Sequence, residues 1–151
     1  IQELIDLLQE IETDMTIFYR NLANVLKTDF AEYALEKVSD AFYKSEEIKA
    51  EIKDNWLKWF NLYLERIGRE FDSDEVRKGK MNLVNPKYVL RNYMAQLAID
   101  AAEKEDYTVI EELYSLLKNP YNEQIENEKW FAKRPDWARH KVGCSMLSCS
   151  S

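Results

Sequence analysis

Glycine, proline, histidine and cysteine are all scarce in this chain of 151 residues, which has 3 Gly, 3 Pro, 1 His and 2 Cys. So few glycines and prolines argue against a hairpin-rich β protein and favour long helices. The glycines lie at positions 68, 79 and 143, too far apart to form a glycine-rich phosphate loop. The single histidine, His140, excludes triads or dyads that need a pair of histidines within the chain.

Long apolar runs and a surplus of basic residues are also missing. No apolar run approaches the roughly 20 residues that span a bilayer, so we expect no membrane partner. The net charge is -7, and we expect no nucleic-acid partner because phosphate binding needs a basic surface. The acidity is uneven, since residues 129–141 contain several Lys and Arg but only one acid, Asp136. The simplest interpretation is a solvated basic tail folded against its own acidic domain.

Apolar residues recur at helical spacing along most of the chain, which predicts an all-α fold. We predict a helical domain over residues 1–124, with about six to seven helices, and an irregular basic tail over residues 125–151 that ends in Cys-Ser-Ser. The longest helix should end near Gly68 and bury a broad stripe of Ile48, Ile52, Trp56, Trp59, Phe60, Tyr63 and Ile67. Because the chain begins at Ile1 and not at Met, we expect a fragment or a processed product.

Capping residues predict where several helices begin. Candidate caps are Asp14, Asp29, the Asp-Ser-Asp of residues 72–74, and Thr108. Asp29 and Thr108 are each followed three residues later by a glutamate, which predicts a capping box. Asn85 is predicted as an N-cap and Pro86 as the first residue of a helix that continues to about Glu105.

Residues 85–93 contain polar side chains that helix formation does not explain. The asparagine and proline at the start of the segment suit a helix start, and its apolar residues suit a core. Lys87, Arg91 and Asn92 fit neither role. We predict that these three residues contact another domain of the protein; a solvated face and a ligand contact are the alternatives.

The two cysteines, Cys144 and Cys149, both lie in the last eight residues. Together with His140 they offer only three zinc ligands, at a spacing that fits no common site, so we predict no metal site. Arg139 and Lys141 lie near Cys144, and positive charge favours the reactive thiolate. Cys144 and Cys149 are therefore redox candidates that we expect to be accessible at a terminus. Unreactive tail thiols, a local disulfide and pairing with a cysteine outside the chain remain open.

A set of short motifs runs along most of the chain. The motifs are residues 85–93, Ala95-Gln96, Ala98-Ile99, Ala101-Ala102-Glu103, Asp106-Tyr107, Asn119-Pro120-Tyr121, Glu123-Gln124, Pro135-Asp136-Trp137-Ala138 and Cys149-Ser150-Ser151, with Thr13-Asp14, Thr16, Phe18, Arg20, Trp56 and Trp59 upstream. Together these motifs resemble the C-terminal part of the selenoprotein O family, which is also called YdiU. The resemblance covers nearly the whole chain, is most specific over residues 85–124 and at the terminus, and is loose over residues 26–54.

The resemblance implies a protein kinase-like fold that binds ATP with Mg²⁺ or Mn²⁺ and transfers AMP to Ser, Thr or Tyr hydroxyls of protein substrates. It also implies that the catalytic, nucleotide-binding and metal-binding residues lie in an N-terminal kinase-like domain that is absent from this chain. We therefore expect the chain to be the helical C-terminal region attached to that domain, or completing its C-lobe. Alone it should be inactive, and its partners should be that domain and protein substrates.

Cys149 occupies the third position from the end, where many eukaryotic members of this family carry selenocysteine. The resemblance thus implies a redox-active terminal cysteine, with a mitochondrial location in eukaryotes and a cytoplasmic one in bacteria. Two alternatives of other classes remain, namely an autonomous helical protein-interaction module and a thiol-redox protein that uses Cys149. The lack of a C-x-x-C motif counts against the second alternative.

Overall fold

The computed structural model describes residues 2–44, 48–141 and 144. This described part contains α-helices, short 3₁₀ helices and no β-strand, which confirms the all-α fold. The α-helices are α1 (Gln2–Glu10), α2 (Met15–Leu22), α3 (Ala31–Val38), α4 (Ala50–Gly68), α5 (Asp74–Val84), α6 (Asn92–Ala102) and α7 (Thr108–Leu117). The 3₁₀ helices are Ser39–Ala41, Ile125–Trp130 and Asp136–Arg139. No helix in the described part is long and apolar enough to cross a bilayer.

The chain divides into two compact units, Ile1–Asn85 and Pro86–Ser151. The first unit therefore contains α1 to α5, and the second contains α6, α7 and the tail. This division falls at a different place from the predicted limit between residues 124 and 125, which stays a prediction.

An aromatic cluster around Trp56 of α4 forms the core of the first unit. The Trp56 ring centroid lies 5.6 Å from that of Phe18, 5.4 Å from Phe42 and 6.0 Å from Phe60, and all four side chains are fully buried. Truncating one such buried aromatic residue costs about 3–5 kcal/mol. The predicted stripe on α4 is thus confirmed at its centre, while Trp59 lies half-buried at its edge.

Two of the predicted helix starts are confirmed by their capping bonds. Asp14 Oδ1 accepts a hydrogen bond from the Ile17 N–H at 3.0 Å, at the start of α2. Ser73 Oγ accepts one from the Val76 N–H at 3.3 Å, at the start of α5. In both cases the side chain satisfies an N–H group that the first turn of a helix leaves without a partner.

The capping boxes predicted at Asp29 and Thr108 are wrong, because neither side chain caps its helix. Asp29 Oδ2 instead accepts a hydrogen bond from Lys37 Nζ at 2.6 Å. Thr108 lies inside α7, and its hydroxyl donates to Asp106 Oδ1 at 2.7 Å. Asp29 therefore binds a lysine side chain and not the N–H groups of α3, and Thr108 binds the side chain of Asp106 and not the N–H groups of α7.

The helix start predicted at Asn85 and Pro86 is also wrong, since α6 begins at Asn92. Asn85 ends α5 instead of starting the next helix. Its backbone N–H and its side-chain amide both donate to the Met81 carbonyl, at 3.0 and 2.9 Å. Asparagine can thus end a helix as well as begin one, and here its side-chain amide is hydrogen-bonded to a carbonyl of the preceding helix, α5.

The second unit has its own core, to which the tail contributes. Its buried members are Tyr88, Tyr93, Met94, Ala98, Leu113, Leu116, Trp130, Ala138 and Cys144. Three of these residues lie in the segment that was predicted as an irregular tail. The Trp130 side chain also donates to Glu112 Oε1 at 3.0 Å. Trp130 and Ala138, which lie in 3₁₀ helices, and Cys144 therefore pack in the same core as residues of α6 and α7. Apolar periodicity alone did not predict this packing.

Candidate functional site

The segment before α6 is not helical, because its N–H groups donate hydrogen bonds to a carbonyl in a loop that is distant in sequence. The backbone N–H groups of Lys87 and Tyr88 both donate to the Pro120 carbonyl, at 2.8 and 3.1 Å. The buried Tyr88 hydroxyl donates to the carbonyls of Glu123 and Gln124, at 2.8 and 3.0 Å. The segment is therefore bound to the loop that follows α7, rather than to the next turn of its own helix.

Gln124 holds that loop in a defined shape. Its backbone is left-handed, with φ 40° and ψ 63°, which costs a residue other than glycine about 1 kcal/mol. Its side-chain amide donates to the carbonyls of Leu116 and Asn119, at 3.0 and 2.8 Å. The Leu116 carbonyl lies in the last turn of α7 and the Asn119 carbonyl two residues beyond the helix, so Gln124 joins the end of α7 to the loop that follows it.

Lys87 is the centre of a polar network, and Lys87 itself is buried, with only 5% of its surface exposed. Its ammonium lies 2.6 Å from Glu128 Oε2, 3.1 Å from Glu123 Oε2 and 3.0 Å from the Glu123 carbonyl. The aromatic rings of Tyr88 and Phe131 lie 5.5 and 5.3 Å from the same nitrogen, within cation–π range. We call these five residues the Lys87 network.

The charge state of Lys87 disfavours the base and nucleophile chemistry that lysine performs in many active sites. Burial opposes the charged form of Lys87, but hydrogen bonds to Glu128 and Glu123 outweigh it and raise the pKa of the ammonium. A lysine that stays protonated cannot act as a base or a nucleophile. Burial likewise raises the pKa of Tyr88, against the opposing charge of Lys87, so that its hydroxyl remains a donor.

All three protons of the Lys87 ammonium have oxygen partners within the second unit. In the structure the Lys87 side chain therefore binds Glu123 and Glu128 of its own unit, whereas the sequence predicted a contact with another domain. Arg91 is buried and Asn92, the first residue of α6, is half-buried. A contact of Lys87, Arg91 or Asn92 with another domain stays a prediction.

Cys144 is a free thiol with no exposed surface, packed in the apolar core of the second unit. The expectation that this thiol is accessible is therefore wrong, because core residues cover it. Lys141, which the sequence placed near it, forms an ion pair with Asp100. Hydrogen bonds from Lys141 and Gln96 lower the pKa of Asp100. Cys149 lies outside the described residues, and its redox role stays a prediction.

Two arginines of the first unit, Arg20 and Arg77, are buried, and no role was predicted for either of them from the sequence. Arg20 Nη1 donates to the carbonyls of Asn82 and Asn85, at 3.1 and 2.9 Å, where α5 ends. Arg77 donates to the Val25 carbonyl and pairs with an Asp74 carboxylate oxygen at 2.9 Å. A signal was present for Arg20, since it lies at helical spacing from the buried apolar residues of α2.

Three of these buried cations have contacts that serve the fold. Arg20 and Arg77 bind backbone carbonyls, and Lys87 binds carboxylates and a carbonyl of its own unit. Within residues 2–44, 48–141 and 144, no three His, Cys, Asp or Glu side chains are grouped so that they could hold a metal ion.

Comparison with known proteins gives the family. The family model for protein adenylyltransferase SelO matches residues 1–118. A protein nucleotidyltransferase YdiU from Flavobacterium johnsoniae is 67% identical over 151 residues, which are 100% of this chain and 29% of that protein. Proteins of the same name from Rhodopirellula baltica and Tolumonas auensis are 45% and 47% identical, and the matches cover 100% of this chain and 30% and 28% of those proteins.

The chain spans less than a third of the length of these curated relatives. The family match includes every α-helix from α1 to α7, together with Lys87 and Tyr88. The identity to the relatives extends through the tail as well. The chain therefore belongs to the SelO family of protein adenylyltransferases, whose relatives are named YdiU.

Proposed function

We propose that the full protein containing these residues is a protein adenylyltransferase. It transfers AMP from ATP, with Mg²⁺ or Mn²⁺, to Ser, Thr or Tyr hydroxyls of other proteins. The observation that carries this proposal is the family match over residues 1–118, together with relatives named nucleotidyltransferase that match the whole chain. Residues 1–151 supply a helical C-terminal region, and a kinase-like domain outside them supplies the nucleotide and metal sites.

The placement of the buried cations supports this division of labour. Transfer of a phosphoryl or nucleotidyl group needs cationic side chains or metal ions against the phosphates, where negative charge develops. Arg20, Arg77 and Lys87 each have partners within the chain, and Lys87 has a partner for every proton of its ammonium. Using any of them on ATP would break contacts that stabilise the fold inside its own unit.

The proposed reaction has a readout that separates it from phosphate transfer. The hydroxyl oxygen of the target protein bonds to the α-phosphorus of ATP, and the bond from that phosphorus to the β-phosphate oxygen breaks. Pyrophosphate leaves, and the hydroxyl proton is released. The product therefore keeps the α-phosphate and loses the β- and γ-phosphates.

The test uses ATP carrying ³²P in either the α- or the γ-phosphate. We expect the full-length protein with Mg²⁺ or Mn²⁺ to label protein substrates from α-labelled ATP and not from γ-labelled ATP. Label from the γ-phosphate would indicate phosphate transfer and contradict the proposal. Residues 1–151 alone should give no label from either, and strong labelling by them would contradict the division of labour.

A further inference from the structure

A groove in the first unit lies between α1 and α4 and combines an apolar floor with an acidic rim. It encloses about 400 Å³, enough for a few side chains. Its lining residues are Glu3, Asp6, Leu7, Glu10, Asn55, Lys58, Trp59 and Leu62. The side chain of Leu62 is more than half exposed, although it lies beside other apolar groups. The groove thus offers apolar surface that residues of the described part leave uncovered.

The acidic rim is a row of like charges on one helix. Glu3, Asp6 and Glu10 follow one another at steps of three and four residues, so they lie on the same face of α1. Asp6 accepts a hydrogen bond from Gln2, but within the described residues no ion pair neutralises Glu3 or Glu10. Carboxylates at this spacing repel one another.

The position of Glu10 adds to this repulsion. Glu10 is the last residue of α1, where the helix dipole carries partial negative charge, and α1 contains no basic residue. Lys58 is the one cation among the lining residues of the groove, and within the described part of the chain it forms no ion pair with Glu3 or Glu10. The arrangement therefore stays unfavourable unless more positive charge is brought to it. A cationic group in the groove would relieve both the repulsion along the row and the repulsion at the helix end.

The floor of the groove is already fixed in shape. The Trp59 ring stacks on Tyr63 with centroids 5.2 Å apart and meets the edge of Phe60 at 5.0 Å. A preorganised aromatic floor loses little conformational freedom when an apolar side chain packs on it. Aromatic residues that are fixed in this way are frequent anchors of protein interfaces.

The length of the relatives indicates where an occupant would come from. The chain covers only 29% of the Flavobacterium johnsoniae protein, so most of that polypeptide lies outside the matched region. We propose that a segment of this remainder, with an apolar side chain flanked by Lys or Arg, docks in the groove. Its apolar side chain packs on Trp59 and Leu62, and its cations face Glu3 and Glu10. The inference rests on the part of the proposed function that attaches this chain to a further domain.

The first experiment measures whether the groove is covered in the full-length protein. Leu62→Cys is modified with a maleimide in the absence of ATP, and the rate is compared with that of the same protein in urea. We expect the native rate to be at least about tenfold slower, because a docked segment must leave before the thiol reacts. A native rate less than about tenfold slower than the unfolded rate would overturn the proposal, since Leu62 is more than half exposed without an occupant.

The second measurement tests whether charge holds the occupant. Glu3→Lys with Glu10→Lys should restore rapid modification of Leu62→Cys, and the neutral pair Glu3→Gln with Glu10→Gln should give an intermediate rate. Phe71→Cys is the matched control, because Phe71 is fully exposed in the same unit and lies outside the groove. Its rate should not change with either pair. Leu62→Cys rates that stay slow in the charge-reversed protein would overturn the electrostatic argument.

A cross-linking experiment identifies the occupant. A carbodiimide joins a carboxylate to a lysine in contact with it, and mass spectrometry locates the pair in an equal mixture of ¹⁴N and ¹⁵N full-length protein. We expect α1 to be joined to a lysine outside residues 1–151, in pairs of a single isotope. Mixed-isotope pairs would mean that a second copy occupies the groove and would overturn the proposal. Neither readout uses AMP transfer, so failure here and failure of the proposed activity are distinguishable.

Discussion

Replacing Lys87 with methionine tests whether the Lys87 network stabilises the second unit. The substitution keeps a long side chain but removes the ammonium, and with it the bonds to Glu128 Oε2 at 2.6 Å and to Glu123 Oε2 at 3.1 Å. Hydrogen bonds of a charged group contribute about 1.5–3 kcal/mol each when both partners are buried. The two carboxylates are 58% and 57% exposed and return to water when the lysine is lost. We therefore expect the free energy of unfolding to fall by about 1–2 kcal/mol in total.

The assay is urea unfolding of the protein, with Lys104→Met as the matched control. Lys104 lies in the same unit and is exposed, so its replacement should change the free energy of unfolding by about 0.5 kcal/mol or less. A double-mutant cycle of Lys87→Met with Glu128→Gln should give a coupling energy below about 1 kcal/mol, because Glu128 is more than half exposed. If Lys87→Met costs no more than Lys104→Met, the network does not stabilise the unit and the reasoning is refuted.

Three further predictions concern titration, capping and burial. Because the pKa values of Lys87 and Tyr88 are both raised in the folded protein, the unfolded chain releases these protons first. The contribution of these two groups to the free energy of unfolding should therefore be fully present below about pH 10, and it should be lost as the pH rises through their pKa values in the folded protein. Lys87→Met should reduce this loss, as measured by urea unfolding at increasing pH. Asp14→Ala should lower the free energy of unfolding by about 1 kcal/mol and Asp14→Asn by less, since asparagine also caps helices; equal losses in urea unfolding would contradict the capping role. Cys144 should react with iodoacetamide only in denaturant, as measured by peptide mass spectrometry, and rapid modification of the native protein would contradict its burial.

The parts of the fold that sequence predicts well are those that depend on neighbours along the chain. The apolar stripe around Trp56 follows helical spacing, and its buried centre is where the periodicity places it. The caps at Asp14 and Ser73 are confirmed because each acts on an N–H group three residues later. Such contacts lie within one turn of helix, where local sequence decides the outcome.

The start of α6 could not be predicted because its competitors are remote in sequence. Asn85 and Pro86 have the residue types of a helix start, but the N–H groups of the next two residues bind the Pro120 carbonyl. The carboxylates that hold Lys87 come from Glu123 and from Glu128 of the 3₁₀ helix Ile125–Trp130, and no local signal in the sequence links these residues to the segment before α6. Tertiary contacts thus override a favourable local pattern.

The candidate site was recognised only in part for the same reason. Lys87 stood out in the sequence because a helix start does not need it, but its partners decide what it does. Arg20 lies on the buried face of α2, yet only the carbonyls at the end of α5 explain why a cation is tolerated there. A buried charge requires partners, and those partners are set by packing that the sequence does not display.

Binding of ATP by residues 1–151, compared with binding by the full-length protein, tests the central claim most directly. Isothermal titration in the presence of Mg²⁺ is the measurement, with far-UV circular dichroism on the same samples to establish that the helices are formed. The proposed division of labour predicts saturable binding of one ATP by the full-length protein and none by residues 1–151 up to millimolar nucleotide. Saturable one-site binding by folded residues 1–151 would contradict it.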